Sequence, residues 1–513
     1  MPGEENFAGR TELKATGDSA SARPRHNFGI QAARRPNLVP AKQSTPYRCN
    51  PFCKTFRPMN RDQNKPLFLN GKTLTHPVSD LAREPKSGNR RLLALIILIA
   101  LILRLAVTMA PNFEGLMDAD HRHCWEQGNV AEALLAGRGF GSALMSNQSS
   151  AMLPPVFPLI VAASYYFLGV HTAASIFAVH AFDCVLSALA CIPIFLMARR
   201  SFGERAAWWS AWGWAFSPYG IYFAASWAWS THLLLLCLCW LLVLAQHMEQ
   251  SSRLGLWAGF GLLAGFAGLT EPSALIVIPF LLVLACWRLF RDGKRWFLPG
   301  CVAGVVMVAA LSPWMIRNAL VFHRFIPMRD NMGLELWMGN NGYNLRWTSD
   351  DIHPLHDAQE LTEYNSMGEL AYMNLKSQLA KAYIHDHPAW YAWMSLRRAV
   401  YIWTGFWSFN PDYLALEPMD PANIPFATCL TLLGLLGILI AWRDTPFEAI
   451  RYAGVLFLFP IMYYFSHTEP YQLRAVDPIL VILGISAILR LRARVRESAN
   501  HALSLETVAE EAG

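Results

Sequence analysis

From Leu92 onward the chain alternates long apolar runs with short polar breaks. A helix needs about 20 predominantly apolar residues to cross a bilayer. Ten runs approach that length: 92–110, 172–197, 206–225, 232–246, 254–269, 273–290, 297–316, 424–442, 450–466 and 471–489. The segments 155–170 and 390–407 are also apolar, but one is short and the other carries Arg397 and Arg398 in its middle. The pattern predicts an all-α polytopic membrane protein of about ten transmembrane helices, with outer-face loops forming a small α-rich external region. Only Thr270-Glu271-Pro272 separates the fifth run from the sixth.

Composition and charge orient this pattern. Hydrophobic residues make up 54% of the 513 and charged residues only 16%, against about 25% charged in soluble domains. A cytosolic enzyme and a secreted domain are both excluded. The net charge of +6 is segregated: residues 1–91 hold 17 Lys/Arg and 7 Asp/Glu, a net of +10, so the remainder sums to −4. A basic head on an apolar body indicates membrane orientation, with no nucleic-acid partner. The head lacks apolar periodicity and is expected to be a disordered cytoplasmic segment. No short apolar region follows charges near the start, so 92–110 is read as an uncleaved anchor; a start at Met59 stays open.

Lys/Arg clusters then place Arg199, Arg200 and Arg205 inside, with Arg288 to Arg295, Arg443, Arg451 and Arg490 to Arg496. One net crossing fits between 154 and 199, so 155–170 becomes re-entrant or interfacial, and 390–407 lies along the outer surface. The expected organisation is a head, 1–91; a seven-span module, 92–316, with an acidic outer loop at 111–171; an external region, 317–423; three further spans, 424–490; and a cytoplasmic tail, 491–513. This implies a multi-pass protein of the inner (plasma) membrane with both termini cytoplasmic. Most of the ten cysteines lie in apolar runs and read as small packing residues.

Charges within the runs are few, mainly Arg104, Asp183 and Arg451. Arg104 and Asp183 must pair or face a cavity, and a structural pair is expected. Acids gather instead at the outer face, an arrangement that suits an enzyme working at the membrane boundary. After the first span comes Asp118-Ala119-Asp120-His121-Arg122-His123-Cys124-Trp125-Glu126. From Trp125 to Ala136, apolar residues recur at helical spacing, and Gly137 and Gly139 end the helix. Asp120 and Glu126 flank the start of that helix, where carboxylates are favoured. A carboxylate at this height can act as general base on a hydroxyl; solvated acids on a loop are the alternative. The spacing of His121, His123 and Glu126 matches no strong zinc pattern, and neither metal nor cofactor is expected.

These residues resemble a known family. Asp120-His121, then Trp125-Glu126 with Gly128, Ala131, Gly137, Gly139 and Phe140, followed by Leu153-Pro154-Pro155-Val156-Phe157-Pro158, is similar to the first outer loop of bacterial GT-C glycosyltransferases. These are relatives of protein O-mannosyltransferases and the aminoarabinose transferase. Leu269-Thr270-Glu271-Pro272-Ser273, the stretch from Ser312 to Asn318, and the stretch from Phe325 to Asn341 extend the resemblance in order. It covers about Leu92 to Arg490. It implies an inverting, integral-membrane transferase that moves a hexosyl or pentosyl group from a polyprenyl-phosphate carrier to a lipid, glycan or protein acceptor at the outer face. It also places the family's first-loop acid at Asp120 or Glu126. One departure stands out: Ser230, beside Trp229, occupies a position where related sequences often carry an acid.

A departing polyprenyl phosphate needs cations or donors at the outer boundary. Arg317 follows the seventh span, and His467 and Arg474 flank the start of the tenth; all three are expected at one depth. Snorkelling to the lipid headgroups is the competing role for both arginines. A transporter or flippase of lipid-linked sugars, and a catalytically inactive relative, are the alternative functions.

Overall fold

The structure is a computed structural model; it describes residues 87–110, 125–141, 143–144, 148–342, 352–355, 357–407, 409, 414, 420–467 and 474–511. Residues 1–86 of the basic head, Asp118, Asp120, His121 and His123 lie outside the described residues, and 87–91, expected within the disordered head, begin the first helix. Among those described, helices make up the regular structure, and one isolated bridge pairs Gly141 with Ser149. The all-α polytopic reading holds.

The first helix, α1 (Ser87–Thr108), is followed by α2 (Trp125–Leu135), α3 (Val156–Leu168), α4 (Ala173–Leu189) and α5 (Cys191–Phe202). Next come α6 (Glu204–Ala215), α7 (Pro218–Ser226), α8 (Thr231–Met248), α9 (Leu254–Thr270), α10 (Ala274–Arg291) and α11 (Phe297–Phe322). Residues 332–404 supply α12 (Met332–Gly339), α13 (Ala358–Met367), α14 (Glu369–Asp386) and α15 (Pro388–Thr404). The chain ends with α16 (Asp420–Asp444), α17 (Pro446–Leu458), α18 (Ile461–Phe465) and α19 (Asp477–Glu511). By length and composition, α1, the continuous α4–α5 pair, α8, α10, α11 and α16 can each cross a membrane; α3 and α9 are shorter apolar helices.

Three expected spans differ in detail. The run 206–225 is two helices, because Ser217 caps α7 through its side chain and Pro218 takes the first helical position, where a missing N–H costs nothing. The run 450–466 breaks at Pro460 into α17 and α18. In the run 471–489 a 3₁₀ turn at 474–476 leads into an α-helix that begins at Asp477 and continues to Glu511 through the segment expected to be a separate tail. Apolar content alone hides such breaks.

The break after α6 explains Arg104. Ending a helix within an apolar bundle leaves carbonyls without partners. The buried guanidinium of Arg104 donates to Trp214 O at 3.2 Å and Ala215 O at 3.1 Å, and to Ser187 Oγ at 2.9 Å. Its partners are those groups rather than Asp183, so the expected pair does not form. At the other end of the bundle, Arg451 forks onto both oxygens of Glu249 at 2.6 Å and also reaches Glu448. That network ties α8 to α17, and Ser201 of α5 joins it through a 2.6 Å bond to Glu448.

Close helix contact is set by small residues. A Cβ on Gly261 of α9 would lie 2.3 Å from the Ala303 carbonyl oxygen of α11, so only glycine lets the two backbones approach this far. The main buried cluster centres on Trp214, Trp257, Phe195 and Phe260. A second buried cluster joins Val130 of α2, Leu144, Met152 and Leu153, Leu334 of α12, Tyr364 of α13 and Tyr372 of α14. This smaller core fixes α12, α13 and α14 against the loop that leads into α3, and the candidate site lies beside it.

Candidate active site at the helix ends

The helix read from residues 125–136 is present as α2, and Gly137 and Gly139 end it with φ of 74° and 72°. Glu126 therefore sits in the first turn, where unsatisfied N–H groups favour a carboxylate. Its partner is His353, with Nε2 3.5 Å from Oε1.

A second acid, Glu271, follows α9. Pro272 stops that helix, and the Glu271 carboxylate meets Arg329 at 3.4 Å. Arg329 lies on the connection between α11 and α12, and its three nitrogens are divided. Nε donates to Met152 O at 2.7 Å, one terminal nitrogen faces Glu271, and the other stands 3.7 Å from Glu335. Glu335, one turn into α12, accepts from Asn331 at 2.7 Å and faces His467 Nδ1 at 3.2 Å.

The result is one constellation. Glu126, Glu271 and Glu335 act electrostatically on Arg329 together, and His353 also acts on Glu335. Burial works against the charge on Arg329, but the three glutamates outweigh it and hold the pKa above its usual range. Burial also pushes the Glu335 carboxyl up; the His467 hydrogen bond, Arg329 and His353 reverse this and bring it below the ordinary carboxylate range. Glu271 differs: burial wins over Arg329, and its pKa is raised. Two neighbouring carboxyls pushed in opposite directions are the arrangement that divides acid and base roles. The six side chains are between 10% and 27% exposed, so they are shielded from bulk water yet reachable.

Of the residues singled out in the sequence, Glu126 and His467 join this constellation. Asp120 lies outside the described residues. Arg317 points to the loop before α3, donating to Ser150 O at 2.7 Å, Phe140 O at 2.9 Å and Asn318 Oδ1 at 2.9 Å. Its guanidinium also lies 4.9 Å from the Trp314 ring. Arg474 lies elsewhere, 3.4 Å from Asp477 and 4.3 Å from the Tyr219 ring centre. The three are thus held by different groups: Arg317 by Ser150, Phe140 and Asn318, Arg474 by Asp477, and His467 by Glu335. Asn340 is buried and holds Leu336 O at 2.9 Å and Phe465 O at 3.1 Å, with Arg398 on its own oxygen at 3.0 Å.

Glu271, Arg329, Glu335 and His353 were missed as site residues. The first three stand in motif stretches visible in the sequence, but nothing local joins residues so far apart.

Residues 152–316 match the model of a family described as dolichyl-phosphate-mannose-protein mannosyltransferase. The chain resembles the GT-C glycosyltransferases. The GT-C-like stretch starts at Met152, whose carbonyl Arg329 holds, contains Glu271, and ends one residue before Arg317. Comparison with curated proteins gives no match. Among solved structures, the apo oligosaccharyltransferase of Archaeoglobus fulgidus is similar at a TM-score of 0.48 and 13% identity, covering 81% of this chain and 52% of that one. AglB from the same organism, in complex with an inhibitory peptide and a dolichol-phosphate, gives 0.44 and 12%, with 81% and 52% covered. ArnT from Cupriavidus metallidurans, bound to undecaprenyl phosphate, gives 0.33 and 15%, with 77% of each chain covered. The chain spans about half the length of the archaeal proteins it matches.

Proposed function

We propose that the chain is a membrane glycosyltransferase that moves a sugar from a polyprenyl-phosphate donor to a lipid, glycan or protein acceptor at the outer face of the cytoplasmic membrane, with both termini cytoplasmic. The observation that carries this reading is the half-buried Glu126–Arg329–Glu335 constellation beside a GT-C-like helical module. The family match over 152–316 supports it.

In this reading the base is Asp120 or Glu126. It takes the proton of the acceptor hydroxyl as that oxygen bonds to the anomeric carbon. The carbon–oxygen bond to phosphate breaks with its electron pair on the phosphate, and the anomeric configuration inverts. His467, Arg474 and Arg317 are proposed to serve the donor phosphate. Arg317 would exchange its bonds to Ser150 and Phe140 for phosphate oxygens, so its role in the loop and its role in binding are linked.

The test is purified protein in lipid with a panel of polyprenyl-phosphate sugars. Release of free polyprenyl phosphate with a glycosylated product supports the reading. Movement of the intact donor across the bilayer without transfer points to a flippase instead.

A further inference from the structure

A pair of buried carboxyls lies close to this site but outside it. Among the described residues no other residue donates an N–H or O–H to either buried oxygen of Asp330, and its own backbone N–H lowers its pKa only in part. Its carboxyl meets that of Glu369, the first residue of α14. Glu369 is itself committed: Oε1 accepts from the Ala151 N–H at 2.6 Å, and Oε2 accepts from Tyr364 Oη at 2.9 Å. The Asp330 N–H returns to Ala151 O at 3.4 Å. The loop 150–152 is thus held at Ser150 by Arg317, at Ala151 by Glu369 and at Met152 by Arg329.

Two carboxylates this close cannot both be charged without a large cost, whereas one proton between them makes a strong hydrogen bond. We propose that Asp330 and Glu369 form a proton-dependent latch, which clamps the 150–152 loop to α14 while the pair shares a proton and loosens when the proton leaves in alkali. The groups facing the pair are Arg317 from α11, Arg329 beside Asp330, and the Tyr364 hydroxyl from α13. Burial, then the Glu369 carboxyl, raises the Asp330 pKa to about 8, while Arg329 lowers it only in part. The latch therefore opens just above neutral pH, at the loop that enters the GT-C-like module. It does not depend on the proposed transfer reaction.

The test reads structure rather than activity. Amide hydrogen exchange across 149–153 is followed in the full-length protein in lipid discs at pH 7 and pH 9, beside Asp330→Asn at each pH to cancel intrinsic exchange. Asparagine donates to Glu369 without a titrating proton. Wild-type protection should fall about tenfold relative to the variant between these values, the population change for one unit above the pKa. Equal pH dependence in both proteins overturns the proposal. If Asp330→Asn does not fold, Glu369→Gln serves, because a single remaining carboxyl cannot be driven apart by charge. Persistence of the alkaline fall in that variant also overturns it.

Discussion

Glu126 and Arg329 show what a single residue can and cannot reveal. An acid at the start of an amphipathic helix is legible in sequence, because helix polarity and spacing fix its height. Arg329 is not: one arginine in a loop reads as solvated, and its partners lie at 126, 152, 271 and 335. Asp120→Asn and Glu126→Gln should separate the candidate bases. A positioned base contributes about 10²–10⁴-fold, so one variant should be nearly dead and the other mild when transfer is assayed at equal protein level. If both stay within a few-fold of wild type, the base lies elsewhere. Arg329→Ala should lower stability by about 1–3 kcal/mol, because two half-buried carboxylates lose a charged partner; thermal unfolding in lipid measures this. Unchanged unfolding would remove Arg329 from its central role. The Asp330 carboxyl adds a pH signature. Its ordinary pKa is 3.8 and its folded value about 8. The protonated form's contribution is therefore complete below pH about 4 and drains away as pH rises to about 8. Unfolding midpoints of wild type and Asp330→Asn should diverge across that window.

At the scale of elements, most helices stand where the apolar runs lie, since bilayer-length hydrophobicity is a strong signal. The breaks were less legible. Ser217-Pro218 and Pro460 interrupt runs whose average hydropathy stays high, and the consequence appears only in three dimensions, where Arg104 satisfies the carbonyls freed at the end of α6. Helix contacts were equally hidden. Gly261 is one of many glycines in an apolar stretch, and only the approach of α11 gives it a role. Gly261→Val should force α9 from α11 and cost about 1–3 kcal/mol, as overpacking does, lowering the unfolding temperature. Gly339 makes a comparable approach: a Cβ there would lie 2.1 Å from Ser466 O and 3.1 Å from the His467 N. Gly339→Ala should therefore displace His467 from Glu335. The same variant should reduce transfer more than it reduces helical content measured by circular dichroism; proportional losses would indicate general unfolding.

For the whole molecule, composition and helix positions describe a multi-pass membrane protein whose helix ends carry a shielded charged site. The membrane class was readable because apolar composition acts over tens of residues. The site was readable only in part, because α12, the Glu271 turn and the short piece around His353 converge through tertiary packing. The central claim is that this site transfers a sugar from a polyprenyl-phosphate donor. The most direct measurement is single-turnover reaction of purified protein with a radiolabelled polyprenyl-phosphate sugar and a mixed extract of envelope acceptors, following free polyprenyl phosphate and labelled product together. The account predicts equal amounts of both, abolished by Asp120→Asn combined with Glu126→Gln. Intact donor after prolonged incubation with every polyprenyl-phosphate sugar tried, by protein that is folded in lipid, would contradict it.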